Sequence, residues 1–168
     1  MALDLINLMS TTAALINRNN TSTSSYNLKS GLNVGAQKIF TGARGLHEKM
    51  PVSFDVYPVI FVELGSKTES YNRMGSSGKR DVTIEADIVA VTQYGIGAGD
   101  ENVGRQLADA ECIKLTQNVE ELIRNKIDLS LTCSHCLIRN TQYAIGVGGE
   151  QTYNAVGIIN LEIVKIGA

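Results

Sequence analysis

The sequence predicts an α+β domain: a mainly antiparallel sheet built from two β-hairpins, packed by one amphipathic helix, with an additional N-terminal helix. The first observation is an apolar run at Tyr57–Leu64, followed by a polar stretch and an alternating strand. The second is a helical apolar stripe near residues 103–126, and the third is a pair of alternating segments after it. Paired strands on either side of one packing helix are typical of this class.

The first element is a predicted helix at residues 2–17. Its apolar residues recur at helical spacing, which predicts one apolar face that needs a partner. The members of that face are Leu5, Ile6, Leu8, Met9, Ala13, Leu15 and Ile16. Residues 17–30 are rich in Asn, Ser and Thr, and such a segment buries too little apolar surface to offset its ordering entropy. We therefore predict a flexible polar segment there.

The next stretch, residues 32–56, is predicted to be extended or irregular. A short strand near residues 34–40 would be broken by Gly42 and Gly45. Met50 and Tyr57 each precede a proline, which biases them away from helix.

The hairpin that follows carries the main functional prediction. Strand alternation at 82–91 turns one set of side chains, Thr83, Glu85 and Asp87, to the face opposite the apolar set. The polar stretch 65–81 is interpreted as a long hairpin loop with an excess of basic residues. Two interpretations stay open: a solvated hairpin end, or a mildly basic arm that docks on a partner. For the second, the predicted contact residues are Lys67, Tyr71, Arg73, Lys79 and Arg80.

A helix and a second hairpin complete the chain. The helix near 103–126 has an apolar stripe, and Asp100 or Asn102 is the predicted N-cap. The stripe comprises Ala108, Cys112, Leu115, Val119 and Leu122. Strands are predicted near 132–145 and 156–166, where Asn160 and Glu162 share a polar face.

Length and composition restrict the class of protein. A chain of 168 residues fits a single domain, 1–168, with 43% hydrophobic and 19% charged residues. A net charge of −2 disfavours a nucleic-acid binder that works by phosphate neutralisation. Apolar runs are too short to span a bilayer, a secretory signal is not predicted, and three cysteines form no disulfide pattern. We expect a soluble protein made in a cytoplasm, without a membrane partner.

Cys133 and Cys136 form the sharpest candidate for chemistry. Two thiolates at this spacing can share Zn²⁺, with His135, Cys112 or His47 completing the site. The second pair of ligands that a structural zinc site needs is missing, and alternation would put Cys133 and His135 on one face with Cys136 on the other. We therefore interpret these residues as ordinary strand residues.

Two further patterns are also better explained without catalysis. Gly95, Gly97 and Gly99 lie between a strand and a helix, but their spacing matches neither the dinucleotide fingerprint nor the P-loop. Glu85 and Asp87 could act as paired carboxylates, but a solvated strand face is the much better explanation. We predict a protein without catalytic residues, metal or cofactor, and keep a small metal- or nucleotide-binding enzyme as the alternative.

In its layout the chain resembles the bacteriophage tail terminator (tail completion) proteins. The resemblance rests on a leading helix, "YPVIFVEL", a long polar loop, "RDVTIEADIVAVTQYG", the helix "ADAECIKLTQNVEELIRN" and the closing "AVGIINLEIVKI". It implies a virion protein that forms a homo-hexameric ring, caps the tail tube, stops its polymerisation and presents a surface to the head-side neck.

The same resemblance implies particular partners. They are further copies of the chain, the tail tube protein and the head–tail connector proteins, with the sheath protein as a further candidate and DNA only passing through the lumen. A neck or stopper protein is the alternative within this class. If the polar strand faces line the channel, Glu85, Asp87 and Glu162 would repel passing DNA phosphates.

Overall fold

The computed structural model describes residues 4–19, 38–49, 57–71, 80–95, 101–126, 129, 133–147 and 152–166. Its elements in chain order are α1 (Leu5–Arg18), β1 (Ile39–Ala43), α2 (Leu46–Lys49), β2 (Val59–Ser70), β3 (Asp81–Gly95), α3 (Glu101–Asn125), β4 (His135–Val147) and β5 (Thr152–Lys165). The α+β class is confirmed.

The strands form one five-stranded sheet in the order β1-β2-β3-β5-β4. β1 pairs with β2 in parallel, and the other three pairings are antiparallel, so the sheet is mixed. Gly42 was expected to break a strand, but it lies inside β1 opposite Glu63. Residues 34–37 and most of the predicted polar segment 17–30 lie outside the described residues.

Both long helices contribute to one core on a single face of the sheet, which we call the helix-covered face. Leu8 and Ile16 of α1 join Leu115 and Leu122 of α3 in this core. The strands contribute their alternate residues, among them Ile60, Val62, Val82, Ile84, Ala86, Ile88, Ala90, Ile159, Leu161 and Ile163. Burial of each such side chain stabilises the fold by about 1.5–3 kcal/mol relative to exposure.

Helix α1 begins one residue after Asp4, whose carboxylate accepts hydrogen bonds from the backbone N–H groups of Ile6 and Asn7. Its buried stripe includes Leu8 and Thr12, and the Thr12 hydroxyl is satisfied by the Leu8 carbonyl at 2.8 Å. Ile6 was predicted on the apolar face but is 74% exposed, because the helix turns that side away from the sheet.

Helix α3 buries all five residues of its predicted stripe. It begins at Glu101, so Asn102 is a helical residue and not the predicted cap, while Asp100 lies outside the described residues. The helix lies very close to β5: a Cβ added to Gly157 would stand 2.1 Å from Thr116 Oγ1. A hydrogen bond of 2.7 Å from Thr92 Oγ1 to the Ala108 carbonyl joins the helix to β3.

The predicted hairpin loop is shorter than expected. β2 does not stop at Leu64 but continues to Ser70, which pairs with Asp81 at the start of β3. The continuation passes through a β-bulge in which residues 65 and 66 together oppose Glu85. A strand made of polar, exposed residues carries no apolar alternation, so the sequence pattern did not predict it.

Candidate partner-binding surface

The outer part of the β2–β3 hairpin, residues 65–70 with 80–84, is named here the hairpin stem. β1 ends opposite Leu64, so within the described residues no strand lies on the outer side of β2 beyond that point. The bulge also changes the alternation, and Lys67 pairs with Ile84, a residue of the helix-covered face. Lys67 and Glu69 therefore point to that face and not to the opposite one.

Three charged side chains of the hairpin stem form one network. Lys67 Nζ lies 2.5 Å from one carboxylate oxygen of Glu69, and Arg80 lies 2.9 Å from the other. The hydrogen bond from Lys67, with attraction to Arg80, lowers the pKa of the Glu69 carboxyl. Two of the cations predicted to contact a partner are thus already paired with one carboxylate.

The other predicted contact residues differ in what the structure shows of them. Tyr71 follows directly after the stem and is 66% exposed. Arg73 and Lys79 lie outside the described residues.

The opposite sheet face, which we call the open face, carries a row of polar residues across three strands. Glu63, Asp87 and Asn160 are direct neighbours in register on β2, β3 and β5. On one side of this row lies a small apolar cluster that includes Phe61 and Val89. The polar row therefore separates an apolar part of this face from a charged part.

Glu63 is completely buried and accepts three hydrogen bonds from the corner between β1 and α2. The donors are the backbone N–H groups of Gly45 at 2.8 Å and His47 at 2.7 Å, together with His47 Nδ1 at 2.9 Å. Because a carboxylate only accepts, the imidazole carries its proton on Nδ1. Glu63 thereby anchors α2 to the sheet.

Asp87 has different partners, Arg44 and Asn160. Arg44 Nε lies 2.5 Å from one Asp87 oxygen and its Nη2 lies 3.3 Å from the other, while Asn160 donates at 2.6 Å. The same guanidinium reaches Glu85 at 3.6 Å. The hydrogen bond to Asp87 is the main reason that the pKa of Arg44 is raised.

Glu85 and Glu162 are directly opposite in the β3–β5 register. Like charges in such positions repel, and each carboxylate here has its own arginine. Arg44 serves Glu85, and Arg139, at the bulge of β4, binds Glu162 through Nε at 3.0 Å and through a second guanidinium nitrogen. A shallow depression of about 280 Å³ lies between the two arginines, lined by Arg44, Glu85, Arg139, Asn160, Leu161 and Glu162.

These contacts change which acidic residues can face a lumen. The structure brings Glu85, Asp87 and Glu162 together on the open face, because β3 and β5 are paired in register. Asp87 is nevertheless buried and paired, because the β1–α2 corner lies over it. The Glu85 side chain is 57% exposed and that of Glu162 is partly exposed, so their lumen role stays a prediction.

The cysteine candidates are arranged differently from the expectation. Cys133 and Cys136 are both buried in the core of the helix-covered face, whereas alternation in β4 turns His135 to the open face. Cys133 precedes β4, so strand alternation does not apply to it. Burial raises the pKa of Cys136 to about 12, and Cys112, also buried, has its pKa raised to about 11. Among the described residues, no group of three or more His, Cys, Asp or Glu could hold a metal ion.

The remaining candidates can be described only in part. Gly95 is the last residue of β3, and residues 96–100 lie outside the described part of the chain. In the ranges that the structure covers, we find no helix with the length and apolar character required to cross a membrane.

Arg44 and Glu63 are the residues that the sequence interpretation missed. A glutamate at the end of an apolar run is normally assigned to the strand end, and its donors lie 16 and 18 residues earlier in the chain. The available signal was that Glu63 stands between Val62 and Leu64 in an otherwise apolar segment.

No family model matches the chain, and a search of the curated proteins finds no significant match.

Proposed function

We propose that this chain is a structural virion protein that caps a phage tail tube as a ring, stops tube polymerisation and provides the attachment surface for the head-side neck. In this proposal each subunit is built from two β-hairpins and one amphipathic packing helix, with an additional N-terminal helix. The observation that carries the proposal is the hairpin stem, which has an open outer edge in the described residues and leads to the exposed Tyr71. The chain acts by binding, without catalysis or cofactor.

The physical requirement for such a protein is an asymmetric subunit. Rings that stack head to tail grow without limit, because each added ring offers a fresh end. A terminator needs one face that is complementary to that end and another that is not. The outer part of β2, which has an open side beyond Leu64 in the described residues, supplies the first face while the rest of the sheet stays free for other contacts.

The hairpin stem has the properties of a docking element. Glu69 holds Lys67 and Arg80 in one ordered network, so less side-chain entropy is lost when a partner binds. Tyr71 adds an exposed aromatic side chain, the residue type that often contributes most to binding at interfaces. We propose that Lys67, Tyr71 and Arg80, with Arg73 and Lys79, contact the tube end.

The open face is proposed to line the ring, with DNA passing through. Arg44 and Arg139 offset two of the three carboxylates Glu85, Asp87 and Glu162, which leaves one net negative charge on this cluster. Such a surface is nearly neutral and highly polar, and it would slide past phosphates without holding them. A ring structure in which Glu85 and Glu162 face outward would contradict this part of the proposal.

The proposal is tested by mass measurement and by a docking assay with purified tube. We expect native mass spectrometry to find six copies of the 18.1 kDa chain, alone or at the tube end. Tyr71→Ala should weaken docking, while Leu107→Ala, at an exposed position on α3, should leave it unchanged. A chain that stays monomeric both alone and with tube protein would refute the proposal.

A further inference from the structure

The end of β1 and the start of the hairpin stem are joined by one residue, Arg44. Its backbone N–H donates to the Leu64 carbonyl at 2.8 Å, directly before the bulge. Its guanidinium forms a two-point contact with the buried Asp87. Contacts of this kind are stronger and more directional than neutral hydrogen bonds. Arg44 is therefore fixed to β2 by its backbone and to β3 by its side chain.

Gly65, the first bulge residue, lies against this guanidinium. A Cβ at Gly65 would stand 2.6 Å from Cζ of Arg44 and 2.7 and 2.9 Å from its two terminal nitrogens. Such distances are too short for non-bonded atoms, so a side chain at this position would displace the Arg44 guanidinium. The Arg44 guanidinium thus occupies the space beside the bulge.

We propose that Arg44 is a positioning residue that sets the path of the outer part of β2, residues 65–70, beyond the bulge, while the β3 half of the stem stays paired with β5. Beyond Leu64, β2 is held by β3 alone in the described part of the sheet, and bulges bend the strand that contains them. The group that packs against the bulge therefore limits how far the strand can bend. The functional meaning rests on the proposed function, in which the stem carries Lys67, Tyr71 and Arg80 to the tube.

Arg44 and Arg139 provide a matched comparison. Both are partly exposed arginines on the open face, and each pairs with a strand carboxylate, Arg44 with Asp87 of β3 and Arg139 with Glu162 of β5. Only Arg44 lies against the bulge of β2. A role limited to charge pairing would leave the path of β2 beyond the bulge unchanged in both arginine variants, whereas a positioning role makes the Arg44 variant alone change it.

The test measures, in the full chain, the position of the outer part of β2 relative to β4. Spin labels attached after Thr68→Cys and Gln142→Cys, both at exposed positions, report the distance between the stem and β4. The three native cysteines are buried and remain unlabelled in the folded protein. We expect one narrow distance distribution in the parent, and a shifted and broadened one in Arg44→Met and Gly65→Ala.

Two further variants complete the design. Arg44→Lys keeps the charge without the two-point contact and should give an intermediate distribution, while Arg139→Met should leave it narrow. An unchanged distance distribution in Arg44→Met would overturn the positioning role. If Gly65→Ala does not fold, the distribution of Arg44→Lys is the second test, and a distribution identical to that of the parent would count against the role.

The result of the distance measurement does not depend on whether the proposed function is correct. The distances are measured on the isolated protein, whereas normal docking of Tyr71→Ala would count against the tail-terminator proposal alone.

Discussion

Glu63 and Asp87 stand directly opposite each other on β2 and β3, and they are only 0% and 5% exposed. Two buried carboxylates at opposed positions would repel each other strongly without compensation. Each carboxylate has its own hydrogen-bond donors. Glu63 accepts hydrogen bonds from Gly45 and His47, and Asp87 accepts them from Arg44 and Asn160. The β1–α2 corner is thereby held on the sheet by polar contacts.

The first prediction concerns Glu63. Glu63→Gln should lower the free energy of unfolding by about 1–3 kcal/mol, because the amide presents an N–H₂ group to buried N–H donors. Denaturant unfolding measures the change. Glu48→Gln, on the exposed side of α2, is the control and should shift stability by less than about 0.5 kcal/mol. Equal effects of the two substitutions would contradict the anchoring role of Glu63.

The second prediction concerns the close approach of α3 to β5. Gly157→Ala should destabilise the fold by about 1–3 kcal/mol, because the new methyl group would overlap Thr116 Oγ1. Adding Thr116→Ala removes that oxygen and should recover part of the loss. A double-mutant cycle from thermal unfolding checks this, and strictly additive effects would show that the two residues are not in contact.

The third prediction concerns the ionisation of Tyr94. Its hydroxyl donates to Glu111 at 2.7 Å, and this bond, together with burial, raises its pKa from 10.0 to about 12. The hydrogen bond thus contributes stability below about pH 10.0, and this contribution is lost as the pH rises through about 12. Ultraviolet titration follows ionisation of the phenol groups. The ionisation with a pKa of about 12 should be absent in Tyr94→Phe, which assigns it to Tyr94. In Glu111→Gln the pKa should fall towards 10.0, and no change there would contradict the assignment.

The fourth prediction concerns the thiols. Burial raises the pKa of Cys112 to about 11 and that of Cys136 to about 12, so both stay protonated at neutral pH. Alkylation of the native protein should be at least about tenfold slower than in denaturant. Elemental analysis of the purified chain should find no stoichiometric zinc. Rapid native labelling together with bound zinc would instead favour the metal-site alternative.

Local periodicity accounts for the parts of the fold that were predictable. The alternation at 82–91 and the stripe from Ala108 to Leu122 each repeat within one element, so the sequence alone indicates which side chains are buried. The helix at the N-terminus was also predicted, but the exposed Ile6 shows that periodicity does not determine where the edge of an apolar face lies.

The parts that were not predictable depend on contacts between distant segments. The extension of β2 past Leu64 requires β3 as a partner, and its polar residues carry no apolar signal. Parallel pairing of β1 with β2 is equally non-local. For the candidate surface, the sequence indicated two polar strand faces, one with Glu85 and Asp87 and one with Glu162. The burial of Asp87 under Arg44 depends on a residue 43 positions earlier.

The last prediction tests the central proposal most directly, by measuring tail length. Electron microscopy of particles assembled from a phage genome that lacks this chain should show overlong tubes without attached heads. Supplying the chain from a plasmid should restore tails of one length that are joined to heads, and the Tyr71→Ala variant should restore them poorly. Tails of normal length, joined to heads in the absence of the chain, would contradict the proposal.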